Sequence, residues 1–380
     1  MIIHPIWAEI DLNAIAHNLQ EVRRITKPET KIMAVIKANA YGHGAVEVAE
    51  TALRNGADYL AVARLGEALT LRWHGINAPI LIFGYTSPEN CSQVVKNSLT
   101  QTVYSVEMAR QLNKAAEKNK EKAMVHIKIE TGMGRLGFMP SEEALSQIEQ
   151  ITKLPNLEVE GIYTHFADAD SADKNYTNEQ IEKFTDFLNQ LESKGISFKI
   201  RHTSNSAAVI DHPEAHLDMV RPGIMLYGYY PSEEVQKEKI ELKPAMTLKT
   251  RVAQTKRVPR GTHISYGRTY CTECETIIAT LPLGYADGYT RMLSNGAVLV
   301  HGKRAPVVGL ITMDQCMIDV GHLSNVKPHD EVVVFGCQHE QCIPVEELAQ
   351  KLGTISYELV CMVSARVPRV YKNSGVRSQE

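Results

Sequence analysis

The sequence predicts an α/β chain in which an N-terminal (β/α)8 barrel, residues 1–240, is followed by a β-rich domain, residues 241–380. Two observations carry this. Short apolar runs begin near Ile32, Asp58, Ile80, Gln101, Met124, Leu157, Phe198 and Leu217, with amphipathic stretches between them. Runs so spaced read as βα units, and eight units close a barrel of about 250 residues. After Pro244 the rhythm changes to strand-like runs punctuated by Gly and Pro, which places a boundary near Glu241.

Composition narrows the function. The chain has 380 residues, 41 Lys plus Arg, 44 Asp plus Glu, and a net charge of −3. That balance argues against a broad nucleic-acid or polybasic membrane surface. No apolar run approaches the ~20 residues that span a bilayer. The start, Met1 to Trp7, lacks a basic leader and is broken by His4 and Pro5, so no secretory signal is expected. Seven scattered cysteines do not read as a disulfide framework, and the expected compartment is the cytoplasm. The polar tail from Lys372 to Glu380 is expected to fray.

The elements follow in order. The run Ile32 to Ile36 ends at Lys37, and Ala38-Asn39-Ala40-Tyr41-Gly42-His43-Gly44 turns the chain into a helix. A lysine at the mouth of a buried strand loses hydration, which lowers its pKa and frees its amine for chemistry on a carbonyl. In Val125 to Glu130 the odd positions are apolar and the even ones polar; Phe198 to Thr203 alternates less cleanly. Helices cover the outside of such a barrel, so the polar side is expected to point inward, where charge is costly unless paired or useful. Gly132-Met133-Gly134-Arg135 sets a guanidinium beside flexible backbone, suited to a carboxylate or phosphate. Tyr163-Thr164-His165-Phe166 ends a run with an imidazole, and Arg221-Pro222-Gly223 ends another with a guanidinium.

One helix reads closely. Thr177 and Gln180 have capping-box spacing at its start, Ile181, Phe184, Leu188 and Leu191 form one apolar face, and Gly195 ends it. Beyond the boundary, strands are expected at Met246–Val258, Thr276–Leu283, Gly296–Val300, Ala305–Gly309, Cys316–Val320, Glu331–Phe335 and Val363–Val370, with a helix at Val345–Leu352. Ser265-Tyr266-Gly267 and Met313-Asp314-Gln315 stand out there. A tyrosine becomes a base only where a cation lowers its phenol pKa of ~10. Cys271, Cys274, Cys337, His339 and Cys342 are zinc-ligand types, but the two groups lie more than sixty positions apart, so free thiols are the expectation. Taken singly, each candidate is more often structural. Their recurrence at corresponding strand ends is what points to a site.

Together these motifs resemble the alanine racemase family, fold-type III enzymes dependent on pyridoxal 5′-phosphate. The match runs through Ala34 to Gly44, Thr131 to Gly137, His165, Asn205 to Ala208, Arg221 to Gly223, Ser265 to Gly267, Met313 to Gln315 and Tyr357, over roughly residues 5 to 370. The resemblance implies racemisation of alanine, with D-alanine supplied to peptidoglycan, and a homodimer whose active sites borrow Tyr266 and Met313 from the partner's β domain. It implies that the first strand, about residues 5–11, packs with that domain. By the same resemblance Lys37 holds the cofactor, and Tyr41, Ser206, Gly223, Ile224 and Tyr357 contact its phosphate. Arg221 faces the pyridine nitrogen, Arg135 supports the cofactor's phenolic oxygen and the substrate, and the Met313 backbone meets the substrate carboxylate. Lys128 matches a lysine carbamylated in many members.

Racemisation needs a proton removed on one face of Cα and another delivered on the other, which two flanking bases solve by placement. The resemblance assigns Lys37 to the D-alanine face and Tyr266 to the L-alanine face, with His165 helping the phenol ionise. A serine or broader amino acid racemase is the nearest alternative. A decarboxylase on the same barrel would place a glutamate where Arg221 stands, and a non-catalytic carrier of the cofactor would lack the β domain.

Overall fold

The computed structural model describes residues 4–372. Most of the polar tail expected to fray, and the first three residues, lie outside that range. Strand β1 (Ile6–Asp11) is followed by eight parallel strands: β2 (Lys31–Val35), β3 (Tyr59–Val62), β4 (Ile80–Ile82), β5 (Thr100–Val103), β6 (Ala123–Lys128), β7 (Leu157–Tyr163), β8 (Ile200–His202) and β9 (Met219–Val220). Their order is β8-β7-β6-β5-β4-β3-β2-β9. The ends meet where Asp218 N–H donates to Arg201 O at 3.1 Å and Arg221 N–H to Ser204 O at 3.0 Å. The (β/α)8 barrel is therefore nearly closed. Strands β2 to β6 are buried on both faces almost throughout, as helix-covered parallel strands must be. That double burial is why they write near-continuous apolar runs.

The chain divides into two compact units, one of Ala14–Ala40 and Ala45–Lys243, the other of the described residues up to Asn13, Tyr41–Gly44, and those from Pro244 onward. The second unit is β-rich. It holds β10 (Met246–Arg251), β11 (Gln254–Val258), β12 (His263–Ile264), β13 (Tyr270–Cys271), β14 (Thr276–Leu281), β15 (Ala297–Val300), β16 (Lys303–Pro306), β17 (Cys316–Asp319), β18 (Glu331–Gln338), β19 (Gln341–Ile343) and β20 (Arg369–Lys372). Its larger sheet runs β16-β15-β18-β10-β1-β20, with β19 paired to β18; β11-β14-β17 form a second sheet. Strand β1 lies between β10, antiparallel, and β20, parallel. No helix among the described residues is long and apolar enough to cross a membrane.

Several elements differ from expectation. The long helix spans Asn175–Ser193, so Thr177 and Gln180 are not its cap. Thr177 is buried inside the first turn, and Gln180 instead braces loops: its Oε1 accepts Ala167 N–H at 2.9 Å, and its Nε2 donates to Thr131 Oγ1 at 3.1 Å. Gly195, at φ +76°, ends the helix as expected. The run Met246–Val258 breaks into two strands. Val363–Val370 is mostly loop before β20, and Ser356–Met362 is a helix, because a seven-residue apolar stretch does not announce its period. Not all the cysteines are free thiols: Cys337 and Cys342 face each other across the β18–β19 hairpin and form a disulfide. Cys271 and Cys274 are free and exposed.

Candidate active site

Lys37 follows β2 and is half-buried. After it Ala38, Asn39, Ala40 and Tyr41 take φ of 52°, 54°, 54° and 52°, a left-handed turn of non-glycine residues. Each costs roughly 1–2 kcal/mol, so the turn stores strain that neighbours must offset. Glu67 does much of this. Its Oε1 accepts Ala38 N–H at 2.6 Å, and its Oε2 accepts Ala63 N–H at 2.8 Å and Arg64 N–H at 3.0 Å. Asn39 Oδ1 accepts Ala45 N–H at 2.9 Å and starts the helix Ala45–Arg54. The lysine is thus held at the rim by a loop fixed on both sides.

Three further strand ends converge with it. Burial pushes the His165 imidazole well below its usual range, and the charges of Arg221, Lys128, Arg135 and Lys37 add to that. His165 is therefore neutral, and four basic side chains bear on it. Arg135 is exposed on a loop that Glu130 ties down: Gly132 N–H and Arg135 N–H donate to its carboxylate at 2.7 and 3.0 Å. Arg221 is 3% exposed. Its Nη2 donates to Thr164 O at 2.9 Å and Thr203 O at 2.7 Å, its Nη1 to His202 Nδ1 at 3.0 Å, and His165 Nδ1 lies 3.4 Å from Nη2. Burial draws the guanidinium down to about 10, which leaves it protonated at neutral pH.

Lys128 is 5% exposed, and its Nζ has no hydrogen-bond partner among the described residues. It sits 4.6 Å from the centroid of the Tyr163 ring. Burial holds its amine well below the ordinary lysine range, and Arg221 and Arg135 push the same way against Glu130. The inward polar side expected on β6 is present: His126, Lys128 and Glu130 are all buried. On β8 the inward residue is His202, stacked on Tyr163 at 4.6 Å between centroids, whereas Arg201 pairs with Asp218 at 2.8 Å and Lys199 is exposed. Gly223 N–H donates to Ser206 Oγ at 2.8 Å. Ser206 opens the helix Ser206–Asp211 and Ile224 opens the 3-10 turn Ile224–Tyr227, so two sets of helix-start N–H donors meet there.

The remaining candidates belong to the other unit. Tyr41 and Tyr357 lie 6.1 Å apart between ring centroids, and burial keeps the Tyr41 phenol protonated, able to donate. Tyr266 follows Ser265, which has φ +66°, in the turn between β12 and β13, and its side chain is 73% exposed. Met313 is 53% exposed, and its carbonyl accepts Ala286 N–H at 3.0 Å. Sequence reasoning missed Glu67, Glu160 and the pairing of His126 with His202.

Fold and site together define a (β/α)8-barrel enzyme with a strained lysine loop and a cationic mouth. Residues 10–231 match the family model for the N-terminal domain of alanine racemase, and residues 245–371 match that for its C-terminal domain. The alanine racemase of Methanococcus maripaludis is 60% identical over 371 residues, covering 98% of this chain and 100% of that protein. That of Desulforamulus reducens is 56% identical over 368 residues, covering 97% and 99%. The solved alanine racemase of Clostridium difficile 630 has a TM-score of 0.97 and 45% identity, covering 100% of this chain and 98% of that one. The chain belongs to the alanine racemase family and is an isomerase.

Proposed function

We propose that the chain interconverts L- and D-alanine with pyridoxal 5′-phosphate held at Lys37. The observation that carries this reading is the convergence of Lys37, Lys128, Arg135 and Arg221 around a neutral His165. The nearby carboxylate, Glu130, is held by backbone N–H groups, and neither guanidinium, Arg135 nor Arg221, forms an ion pair with it, so the basin keeps an excess of positive charge. A dianionic phosphate and an amino acid carboxylate balance it. The bound cofactor contributes an electron-accepting ring that loosens the α-proton of an attached amino acid. Ser206, Gly223 and Ile224, with the Tyr41 and Tyr357 hydroxyls, would hold the phosphate. Arg221, which only donates, would face the ring nitrogen and favour its unprotonated form. Arg135 supports the phenolic oxygen.

Lys37 exchanges the proton on the D-face, and Tyr266 of a second copy exchanges it on the L-face. His165, read with its hydrogen on Nε2, can donate to a phenolate. Exposed Tyr266 and Met313, with Tyr285 and Met292 also exposed in the same unit, support burial against a partner. The Met313 backbone meets the substrate carboxylate. We also read Lys128 as the site of a carbamate: burial favours loss of its proton, and the deprotonated amine adds to carbon dioxide, forming an N–C bond and releasing one proton, with the resulting anion pairing with Arg135. We read the enzyme as cytoplasmic and its D-alanine as a supply for peptidoglycan synthesis, a reading that membership of the family supports.

Borohydride treatment of the yellow holoenzyme followed by peptide mapping should find the pyridoxyl group on Lys37. D-amino acid formation is measured from L-alanine and L-serine side by side. A label elsewhere overturns the assignment of Lys37, and equal rates on serine replace alanine by a broader substrate class.

A further inference from the structure

Behind Arg221 a line of buried side chains crosses the barrel. Tyr59 Oη donates to Glu160 Oε2 at 2.8 Å, and His126 Nε2 lies 3.2 Å from the same oxygen. His126 Nδ1 lies 2.9 Å from His202 Nε2, and His202 Nδ1 lies 3.0 Å from Arg221 Nη1. Both imidazoles are 0% exposed, whereas Glu160 keeps a side-chain exposure of 15%. A buried pair of histidines needs every ring nitrogen matched donor to acceptor.

The direction of each bond follows from one chemical fact. A guanidinium donates and never accepts, so His202 Nδ1 is an acceptor. His202 therefore carries its hydrogen on Nε2 and donates it to His126 Nδ1. His126 then carries its hydrogen on Nε2 and donates to Glu160. Both rings must be neutral, in the same tautomer, and the chain must end on an atom that accepts. Glu160 is that atom's owner. Burial favours the neutral rings, for both are held below the ordinary histidine range.

The backbone is shaped to place this terminus. Pairing of β6 with β7 runs Val125 to Val159 and then His126 to Gly161, so Glu160 is an extra residue in a bulge. Opposite His126, a Cβ on Gly161 would sit 2.8 Å from the imidazole, so only glycine leaves room for the ring. A bulge that turns one carboxylate in and an adjacent glycine that admits one histidine serve the same line of bonds.

We propose that Glu160, His126 and His202 are positioning residues, a one-way hydrogen-bond relay that fixes the orientation of Arg221 at the barrel mouth. With Nη2 spent on the carbonyls of Thr164 and Thr203 and one Nη1 hydrogen on His202, the second Nη1 hydrogen and the Nε hydrogen are aimed at a ligand. Loss of the acceptor at Glu160 lets His126 move its hydrogen to Nδ1. His202 must then carry its own on Nδ1, facing the N–H of Arg221, and the guanidinium is displaced. The role at the cofactor rests on the reading of Arg221 given above; the tautomers do not.

Neutron diffraction of the holoenzyme reads the relay directly. The expected map has hydrogen on Nε2 and none on Nδ1 of both His126 and His202; hydrogen on either Nδ1 overturns the inference, whatever reaction the protein proves to catalyse. In the same holoenzyme, Glu160→Leu should lower kcat for both alanine enantiomers at least tenfold with KM within threefold. Glu160→Gln keeps an acceptor oxygen and should stay within threefold of wild type. A fully active Glu160→Leu, or a Glu160→Gln as impaired as Glu160→Leu, overturns the positioning role. If Glu160→Leu does not fold, the neutron map and Glu160→Gln still decide.

Discussion

Replacing Lys128 by Met separates a bare buried amine from a modified one. The side chain is 5% exposed, and its Nζ lacks a hydrogen-bond partner among the described residues. An unsatisfied buried donor costs about 1–3 kcal/mol, and a Lys-to-Met exchange of similar volume gives back at most about 1.5 kcal/mol through packing. In buffer freed of carbon dioxide, K128M should therefore be ~1–2 kcal/mol more stable than wild type in urea. Bicarbonate should close most of that gap. Carbon dioxide binds the native site alone, and at tenfold its dissociation constant stabilises wild type by about 1.4 kcal/mol, leaving K128M unchanged. The pH dependence has a definite sign. The folded pKa lies below the unfolded value of ~10.4, so the unfolded chain binds more protons between the two. The penalty is fully present below that window, and stability rises as pH climbs through it. A wild-type midpoint indifferent to bicarbonate, with K128M the weaker protein in both buffers, would refute the argument.

Three other outcomes are expected. Glu67→Leu strips the acceptor from three backbone N–H groups around the lysine loop and should cost about 1–3 kcal/mol in urea; an unchanged midpoint would mean that the left-handed turn needs no such support. Gly161→Ala pushes a methyl against a ring held at both nitrogens and should cost about 1–3 kcal/mol, measured in the same way. Tyr266→Phe should keep the bound cofactor yet slow α-proton exchange in deuterated water, most for L-alanine. Exchange at the wild-type rate would remove Tyr266 from its role.

What was legible in the chain follows from which forces write themselves locally. Strands β2 to β6 are buried on both faces, so they appear as apolar runs beginning within two residues of where they lie. The short closing strand β8 carries polar residues for opposite purposes, Arg201 outward to Asp218 and His202 inward to Arg221. Alternation alone does not assign such a strand's faces. Lys37, Arg135, His165 and Arg221 could be found because each stands at the end of a run. The His126–His202 pair could not, since 76 positions separate two residues that meet only through the barrel's register. Glu160 was hidden for a sharper reason: a bulge shifts it out of the alternation by which it would have been read. Helix Ser356–Met362 is too short for its period to declare itself.

The carboxylates of the barrel mouth share an arrangement that bears on why a cationic site is stable without being neutralised. Glu67 bonds to the N–H of Ala38, beside Lys37; Glu130 bonds to the N–H groups of Gly132 and Arg135; Glu160 reaches Arg221 only through two imidazoles. Each acid fixes the geometry around a cation by holding its backbone or its neighbour. Arg221 forms no ion pair with a carboxylate among the described residues. A direct pair would hold the same side chain still, but its Coulomb attraction would cancel the field that draws in a phosphate and an amino acid carboxylate. Placing the negative charge one or more bonds behind the cation separates orientation from neutralisation, and leaves the guanidinium hydrogens facing the mouth for an anionic ligand.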